Sequence, residues 1–257
     1  MLILLPPSEG KAPPARRGRP VDLDALSFPE LTDTRRRVLD ALVVTAGAPD
    51  ATRRLFVGPS LATEVARNAQ VRELPARPAL EVYRGVLFEA LDPGTLSPAA
   101  RRRAASRLVV LSGLWGVLRP RDRVPPYRLN VCSRLVGLPA LEPLWREVVP
   151  GVLASAARGR LVVDCRSSSY RAMGAVPGGA DRTVVVRVVR EVAGRRSVAS
   201  HLAKRTRGEV VRHLLESGAD PRAPVALGEV LADRWPTTVL PPAGRGLPWT
   251  AEVVSAS

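Results

Sequence analysis

Three short segments that are almost entirely apolar, the third ending in an aspartate, limit how this chain can fold. They are residues 1–5, 108–111 and 161–164. Continuous apolar runs of this length are typical of strands that are buried on both faces of a parallel sheet. Each run leads into a loop rich in Ser, Gly or Pro, over residues 6–11, 112–116 and 165–170. Because ligands of α/β proteins gather at the carboxyl ends of such strands, we expect these loops to form a binding site.

The remaining segments predict helices and further strands around this sheet. Helical patterns occur at 35–46, 60–73 (with Ser60 as N-cap), 85–91, about 97–103 (with Ser97 as N-cap), 142–157, 200–217 and 225–232. Strand patterns occur at 79–84, at 183–191 and from 197, the last two forming a hairpin that turns at 193–196. We predict one α/β (mixed α+β) domain over 1–257. It is a single compact unit with a central, mostly buried sheet, flanking helices, a basic cleft and a Pro/Gly-rich tail over about 236–257.

The charge of the chain points to a negatively charged partner. There are 39 Lys and Arg residues against 24 Asp and Glu residues, which gives a formal charge of +15. Clustered cations of this kind displace counterions from phosphates, as nucleic-acid-binding proteins do. A solvated, arginine-rich surface is the alternative explanation. Charge alone does not distinguish a surface for double-stranded DNA from a pocket for one phosphate-bearing small molecule.

The cysteine count and the hydropathy predict a cytoplasmic location without a membrane partner. Cys132 and Cys165 are too few for a disulfide framework, which indicates a reducing compartment. No apolar run approaches the ~20 residues that a membrane helix needs, and the first residues lack the basic segment of a signal peptide. His201 and His213 lie twelve residues apart on one predicted helix and cannot share a metal ion. We therefore predict no metal and no cofactor.

Two rare residue types identify the candidate catalytic groups. Only Lys11 and Lys204 are lysines, whereas every other basic position is arginine. A lysine amine can lose its proton when it is buried, and an arginine cannot, so a site that needs an amine would resist the exchange. The three tyrosines, Tyr83, Tyr127 and Tyr170, each precede an arginine beside turn residues, where their hydroxyls are available as hydrogen-bond partners.

Other polar residues complete the candidate site. Glu9 and Asp164 form a possible acid/base pair, and Cys165 has either a lowered thiol pKa beside Arg166 or a buried structural role. The candidate anion-binding or DNA-binding residues lie in the strand-end loops, in the stiff basic segment 118–128 and on the helix from 200. They are Ser8, Lys11, Ser112, Gly113, Gly116, Arg119, Arg128, Arg166, Ser168, Lys204 and Arg207.

Several of these segments resemble the YaaA peroxide-stress family. The matching stretches are LLPPSEGK at 4–11, YRG at 83–85, LSGLWGVLRP at 111–120, PYRL at 126–129 and AKRTRG at 203–208. The resemblance extends from residue 1 to about 220. It implies a cytoplasmic protein with an unusual mixed α/β fold and a positively charged cleft. It also implies binding of double-stranded DNA through a helix–hairpin–helix element, whose place in this chain the motifs do not fix, and protection of DNA against peroxide, linked to lower free iron.

The sequence thus leaves three hypotheses open. The first is a DNA-binding, peroxide-protective protein whose basic cleft grips duplex phosphates. The second is an enzyme that acts on a nucleotide, a nucleobase or another small anionic metabolite in a pocket of Lys, Tyr and Arg residues. The third, sequestration of iron or haem, has little support because the chain lacks ligand spacing. The enzyme hypothesis gains if the lysines and tyrosines converge on a pocket that is too narrow for a duplex.

Overall fold

The structure, a computed structural model, describes residues 1–176, 179–192, 195–197 and 200–255. The strands are β1 (Leu2–Leu5), β2 (Arg77–Pro78), β3 (Leu108–Ser112), β4 (Gly116–Leu118), β5 (Arg123–Val124), β6 (Val162–Asp164), β7 (Thr183–Val192), β8 (Arg195–Ser197), β9 (Thr237–Leu240) and β10 (Trp249–Ser255). The α-helices are α1 (Thr32–Ala46), α2 (Ala51–Arg54), α3 (Ala62–Arg67), α4 (Ala79–Val82), α5 (Val86–Leu91), α6 (Pro98–Arg107), α7 (Leu141–Arg146), α8 (Val149–Ala157), α9 (Ser168–Ala172), α10 (Ser200–Glu216) and α11 (Pro224–Ala232). Short 3-10 helices occur at Pro29–Leu31, Pro59–Leu61, Asn68–Gln70, Pro93–Thr95 and Ala180–Arg182.

A largely parallel sheet forms the centre of the molecule, as the apolar runs predict. Its order is β4-β3-β1-β6-β7-β10-β9, and β8 pairs with β7. The five inner strands are parallel, and β4 and β9 close the two edges in antiparallel orientation. Strand β1 is buried along its whole length, so its side chains pack on both faces of the sheet. Helices flank this sheet, which confirms the mixed α/β class.

Two predicted elements differ from the structure for identifiable reasons. The expected strand at 79–84 is wrong, because residues 79–82 form helix α4 and only Tyr83 is extended. The expected helix at 142–157 is divided into α7 and α8. Pro150 lies in the first turn of α8, and it cannot donate the backbone hydrogen bond that a continuous helix would need there.

The other boundary differences concern short elements. Residues 60–73, expected as one helix, form two 3-10 pieces around α3, without a side-chain cap at its start. Ser97 caps α6 as predicted, since its hydroxyl accepts the amide of Ala100 at 3.1 Å. The hairpin of β7 and β8 is present, and the predicted turn residues 193 and 194 lie outside the described residues.

The C-terminal region is part of the sheet, which the sequence analysis did not predict. Strand β10 pairs along seven residues with β7, in parallel, and it also pairs with the antiparallel strand β9. Its inward side chains, Ala251 and Val253, are fully buried. The prolines and glycines that made this region resemble a tail are concentrated in the connection between β9 and β10.

A buried guanidinium holds the turn between β3 and β4. The side chain of Arg35, on α1, is fully buried. It donates to the carbonyl oxygens of Trp115 at 3.0 Å and Val117 at 2.8 Å, and to those of Ser27 and Phe28 at 2.8 and 3.3 Å. Burial lowers the pKa of Arg35 to about 10, despite the attraction of Asp122. Arg35 therefore satisfies backbone carbonyls that would otherwise be buried without a donor.

A membrane-spanning helix must be both long and apolar, and this bears on the helices of the described residues. None of them combines the two in the way that a crossing of the bilayer requires.

Candidate functional site

The three strand-end loops meet at the carboxyl-terminal end of the parallel strands, as predicted. Strand β1 lies between β3 and β6, with Ile3 opposite Leu108 and Leu2 opposite Val162 in parallel register. Because the three strands run in the same direction, the loops that follow them leave the sheet on the same side. Lys11 from the first loop, Ser112 from the second and Tyr170 from the third lie together with Tyr83 and Tyr127. These five residues form the Lys11 cluster.

The segment after β1 is fixed in place by backbone pairing with the end of α4. Lys11 and Tyr83 form an isolated antiparallel bridge. The amide of Ala12 donates to the Val82 carbonyl at 2.7 Å, and the amide of Arg84 donates to the Gly10 carbonyl at 2.9 Å. The hydroxyl of Ser8 donates to the Arg84 carbonyl. Lys11 and Tyr83 are thereby brought side by side from positions 72 residues apart in the chain.

The amine of Lys11 lies over the aromatic rings of two tyrosines. Its Nζ atom is 4.2 Å from the centroid of the Tyr127 ring and 5.8 Å from that of Tyr83. It donates hydrogen bonds to the carbonyl oxygens of Ser8 at 2.9 Å and Glu9 at 3.3 Å. These two bonds use both hydrogens of a neutral amine, so the lone pair of the neutral form remains available.

Burial lowers the pKa of Lys11 to about 7. The carboxylates of Glu9 and Glu64 oppose this shift, and the Arg128 guanidinium adds to it. Lys11 as a whole is half-buried, and its amine packs against the rings of Tyr127 and Tyr83. Near neutral pH this amine exists in comparable amounts as a base and as an ammonium ion, which is the condition for general acid–base catalysis.

A chain of hydroxyl groups lies beneath the amine. The hydroxyls of Tyr83 and Tyr127 are 3.0 Å apart, and that of Tyr127 is 2.7 Å from the Ser112 hydroxyl. Ser112 in turn accepts the backbone amides of Leu114 at 3.2 Å and Trp115 at 3.0 Å. Burial raises the pKa of Tyr83 to about 12 and that of Tyr127 well above its usual value of 10. Both phenols therefore keep their protons at neutral pH and act as hydrogen-bond donors.

Tyr170 supplies a third buried phenol with an unused hydroxyl. The residue is 7% exposed, and its hydroxyl has no hydrogen-bond partner among the described residues. The backbone amide of Val131 is near enough to affect the pKa of this phenol, but it is not in hydrogen-bonding geometry. Burial raises that pKa, and the charge of Glu9 and the neighbouring Tyr83 add to the shift. A buried hydroxyl without a partner is costly, so a ligand oxygen or nitrogen would relieve it.

Arg128 lies between two carboxylates beside Lys11. The Nη2 atom of Arg128 is 3.5 Å from the Glu9 carboxylate, and its Nη1 atom is 3.5 Å from that of Glu64. Asn68 orients the backbone of Arg128 through two hydrogen bonds of 2.8 Å. Within the described part of the chain, the Nε–H of Arg128 has no acceptor. An incoming anion could therefore bind Arg128 in place of one glutamate.

Among the described residues, the other predicted site residues form no hydrogen bond with the Lys11 amine or the tyrosine hydroxyls, although Arg166 donates to the Tyr170 backbone carbonyl at 3.4 Å. Lys204 is exposed on α10 and has no hydrogen bond or ion pair within the described ranges. Arg119 contacts the carbonyls of Ser106 and Leu108, at the opposite end of β3. Ser168 is exposed at the start of α9. Arg166 and Arg207 line a separate cavity.

The two glycines of the 112–116 loop face protein atoms. A Cβ atom on Gly113 would lie 3.1 Å from the backbone of Asn130 and Val131. Gly116 has a positive φ of 71°, and a Cβ atom there would lie 2.6 Å from the Trp145 ring. These glycines permit close packing of the loop, and the structure gives no direct support to their predicted contact with an anion.

The geometry argues against two further hypotheses from the sequence, an acid/base pair of Glu9 and Asp164 and a reactive Cys165. Asp164 is buried in an ion pair with Arg166 at 2.8 Å, so it is not free to act with Glu9. The hypothesis of a reactive Cys165 is wrong, because burial raises its pKa to about 12. Within the described residues, no group of three His, Cys, Asp or Glu side chains is placed to hold a metal ion.

Sequence reasoning also missed residues that shape the site. Arg35 fixes the 112–118 turn, and Asn68 and Glu64 position Arg128. Arg35 lies in an amphipathic helical pattern where arginines are normally exposed. No signal in a single sequence distinguishes it from its exposed neighbour Arg36.

Comparison with known proteins relates this chain to a family. The family model described as "Peroxide stress protein YaaA" matches residues 1–230. A UPF0246 protein of Streptomyces coelicolor is 44% identical over 258 residues, which covers 99% of this chain and 98% of that protein. UPF0246 proteins of Corynebacterium efficiens and Cereibacter sphaeroides are 40% and 33% identical, over 90% and 86% of this chain and 90% and 88% of their own lengths.

The pKa of Lys11 can be measured directly because the chain has only two lysines. We expect ¹³C-methylated protein to show one lysine signal that titrates near pH 7, since burial disfavours the charged amine. Lys11→Arg and Lys204→Arg variants assign the two signals by NMR. A Lys11 amine that stays fully protonated up to pH 9 would contradict the conclusion that burial lowers its pKa.

Proposed function

Because the chain belongs to the peroxide stress protein YaaA family, we propose that it contributes to peroxide resistance as an enzyme. In this proposal it acts on a nucleotide, a nucleobase or another small anionic metabolite at the cluster formed by Lys11, Tyr83, Tyr127, Tyr170 and Ser112. The observation that carries the proposal is the Lys11 amine, whose Nζ atom lies 4.2 Å from the Tyr127 ring centroid. It is next to a chain of hydrogen-bonded hydroxyl groups that keep their protons at neutral pH.

The proposed chemistry is proton transfer. The neutral amine of Lys11 accepts a proton from the substrate and becomes an ammonium ion, which the faces of Tyr127 and Tyr83 stabilise by cation–π attraction. Ser112 accepts two backbone amides, so its hydroxyl donates to Tyr127, and Tyr127 donates to Tyr83. The Tyr83 hydroxyl is left to donate a hydrogen bond to the negative charge that develops on the substrate. Tyr170 has an unused hydroxyl for this role. The ammonium ion then returns its proton to the product, which restores the starting state.

The depth of the hydroxyls favours a small substrate over a duplex. Tyr83 is fully buried and Tyr127 is 6% exposed. The phosphates of a rigid duplex cannot reach groups at this depth, so the proposed substrate is a single base or a small anion. Lys204 is exposed and has no hydrogen bond or ion pair within the described residues, so the proposal rests on Lys11 and the tyrosines alone.

Binding of double-stranded DNA is a second candidate function, and one groove favours it. Arg84, Arg101 and Arg121 line this groove, which has a volume of about 560 Å³. Among its described lining residues, Glu81 is the one with a carboxylate. All three arginines are exposed. With a formal charge of +15, such a groove is suited to backbone phosphates. The helix–hairpin–helix element and the cytoplasmic location stay predictions.

The Lys11→Arg substitution separates the two functions. Arginine keeps the positive charge but cannot accept a proton at neutral pH. In a peroxide-sensitive host that lacks its own family member, we expect Lys11→Arg to lower survival after hydrogen peroxide at least tenfold, since general base catalysis contributes about 10²–10⁴-fold. Lys204→Arg is the matched control and should protect like the wild type. Full protection by a folded Lys11→Arg protein would refute the enzyme proposal.

DNA binding makes a different prediction. If the groove contacts several phosphates, affinity for a duplex should fall by about ten- to a thousand-fold over a few-fold rise in salt. Replacing Arg84, Arg101 and Arg121 by Gln should weaken binding and flatten this slope. The control is the same change at three exposed arginines elsewhere, Arg37, Arg158 and Arg245. Fluorescence anisotropy with a labelled duplex measures both, and equal effects of the two triple variants would exclude the groove.

A further inference from the structure

A second cavity lies beyond the carboxyl end of β6 and contains none of the Lys11 cluster. Its volume is about 580 Å³, within the range of small-molecule sites. It is bordered by residues that follow β6, by α9, by the first half of β7, by α10 and by the segment leading into β10. Neither Lys11 nor any tyrosine lines it.

The cavity contains more positive charge than the surrounding carboxylates neutralise. Arg166 is paired with Asp164 at 2.8 Å, and Arg187 is paired with Glu252 at 3.2 Å. Arg171 and Arg207 also line the cavity, and across the described residues neither has a carboxylate within ion-pair distance.

The two unpaired guanidinium groups make few hydrogen bonds. Arg171 donates from Nη1 to the Arg166 carbonyl at 3.4 Å, and Arg207 donates from Nε to the Val186 carbonyl at 3.3 Å. Both side chains are half-buried. A guanidinium has five N–H donors, so each has several donors left for a ligand, and a bound anion would offset the cost of their partial burial.

The rest of the wall is apolar. It is formed by Ala175, Val176, Ala180, Val185, Val186 and Pro248. A bare inorganic ion would leave this surface in contact with water. A ligand that carries an apolar ring beside its charged group would cover it.

We propose that this cavity binds a phosphate monoester with a ring-shaped body, of the kind represented by a nucleoside 5′-monophosphate. Two unpaired guanidinium groups match the two negative charges of a phosphate monoester, and their planar donors suit its oxygens. The valines, alanines and proline contact the ring. The cavity shares no lining residue with the Lys11 cluster. The two adjoin where Arg166 donates to the Tyr170 carbonyl at 3.4 Å, but the proposed binding does not depend on the chemistry of Lys11.

The test is calorimetric titration of the full chain with adenosine 5′-monophosphate, adenosine and inorganic phosphate. We expect the monophosphate to bind at least tenfold more tightly than either fragment, because each fragment fills half of the site. Arg171→Gln and Arg207→Gln should each weaken it about tenfold, the usual effect of losing a charged hydrogen bond. Ala175→Trp, at an exposed position of the wall, should block the ring while leaving both arginines.

Matched controls make the result decisive. Arg102→Gln removes the same charge from an exposed position on α6 outside the cavity, and it should change affinity less than twofold. Lys11→Arg should leave binding unchanged, which separates this site from the proposed enzyme. The Arg207 guanidinium also donates to the Val186 carbonyl. If Arg207→Gln fails to fold for this reason, the affinities of Arg171→Gln and Ala175→Trp for the monophosphate still test the proposal. No binding of the monophosphate, or binding insensitive to both of these variants, overturns the proposal.

Discussion

Strand β1 pairs in parallel with β3 on one side and with β6 on the other, and this pairing determines where the functional groups of the molecule lie. This pairing brings three loops that are far apart in the chain to one edge of the sheet. Lys11 follows the first of these strands, Ser112 ends the second and Tyr170 follows the third. The apolar strands supply burial, and the polar loops supply the groups whose pKa values that burial changes.

Arginines perform two different tasks in this molecule. Arg35 and Arg166 are buried and bind backbone carbonyls or a carboxylate, which fixes the loops after β3 and β6. The exposed arginines give the chain its excess charge. The site chemistry is instead assigned to Lys11, the one basic side chain of the cluster whose amine can lose its proton near pH 7. The near-absence of lysine elsewhere fits this division.

The sequence predicted the strand triplet and singled out Lys11 and the tyrosines, because apolar runs and rare residue types are visible in one chain. It could not place Lys204, since a helix pattern does not show which face is covered. It missed β10 because prolines and glycines dominate that region. It missed Arg35 because the burial of a guanidinium depends on carbonyls some 80 residues away in the chain.

The central claim is that Lys11 carries out proton transfer on a small molecule. The most direct measurement incubates the purified protein with a bacterial small-molecule extract and follows its components by mass spectrometry. We expect the wild type and the Lys204→Arg variant to consume at least one anionic or nucleobase-containing component, and the Lys11→Arg variant to consume none. An extract unchanged by the wild type, or consumed equally by Lys11→Arg, would contradict it.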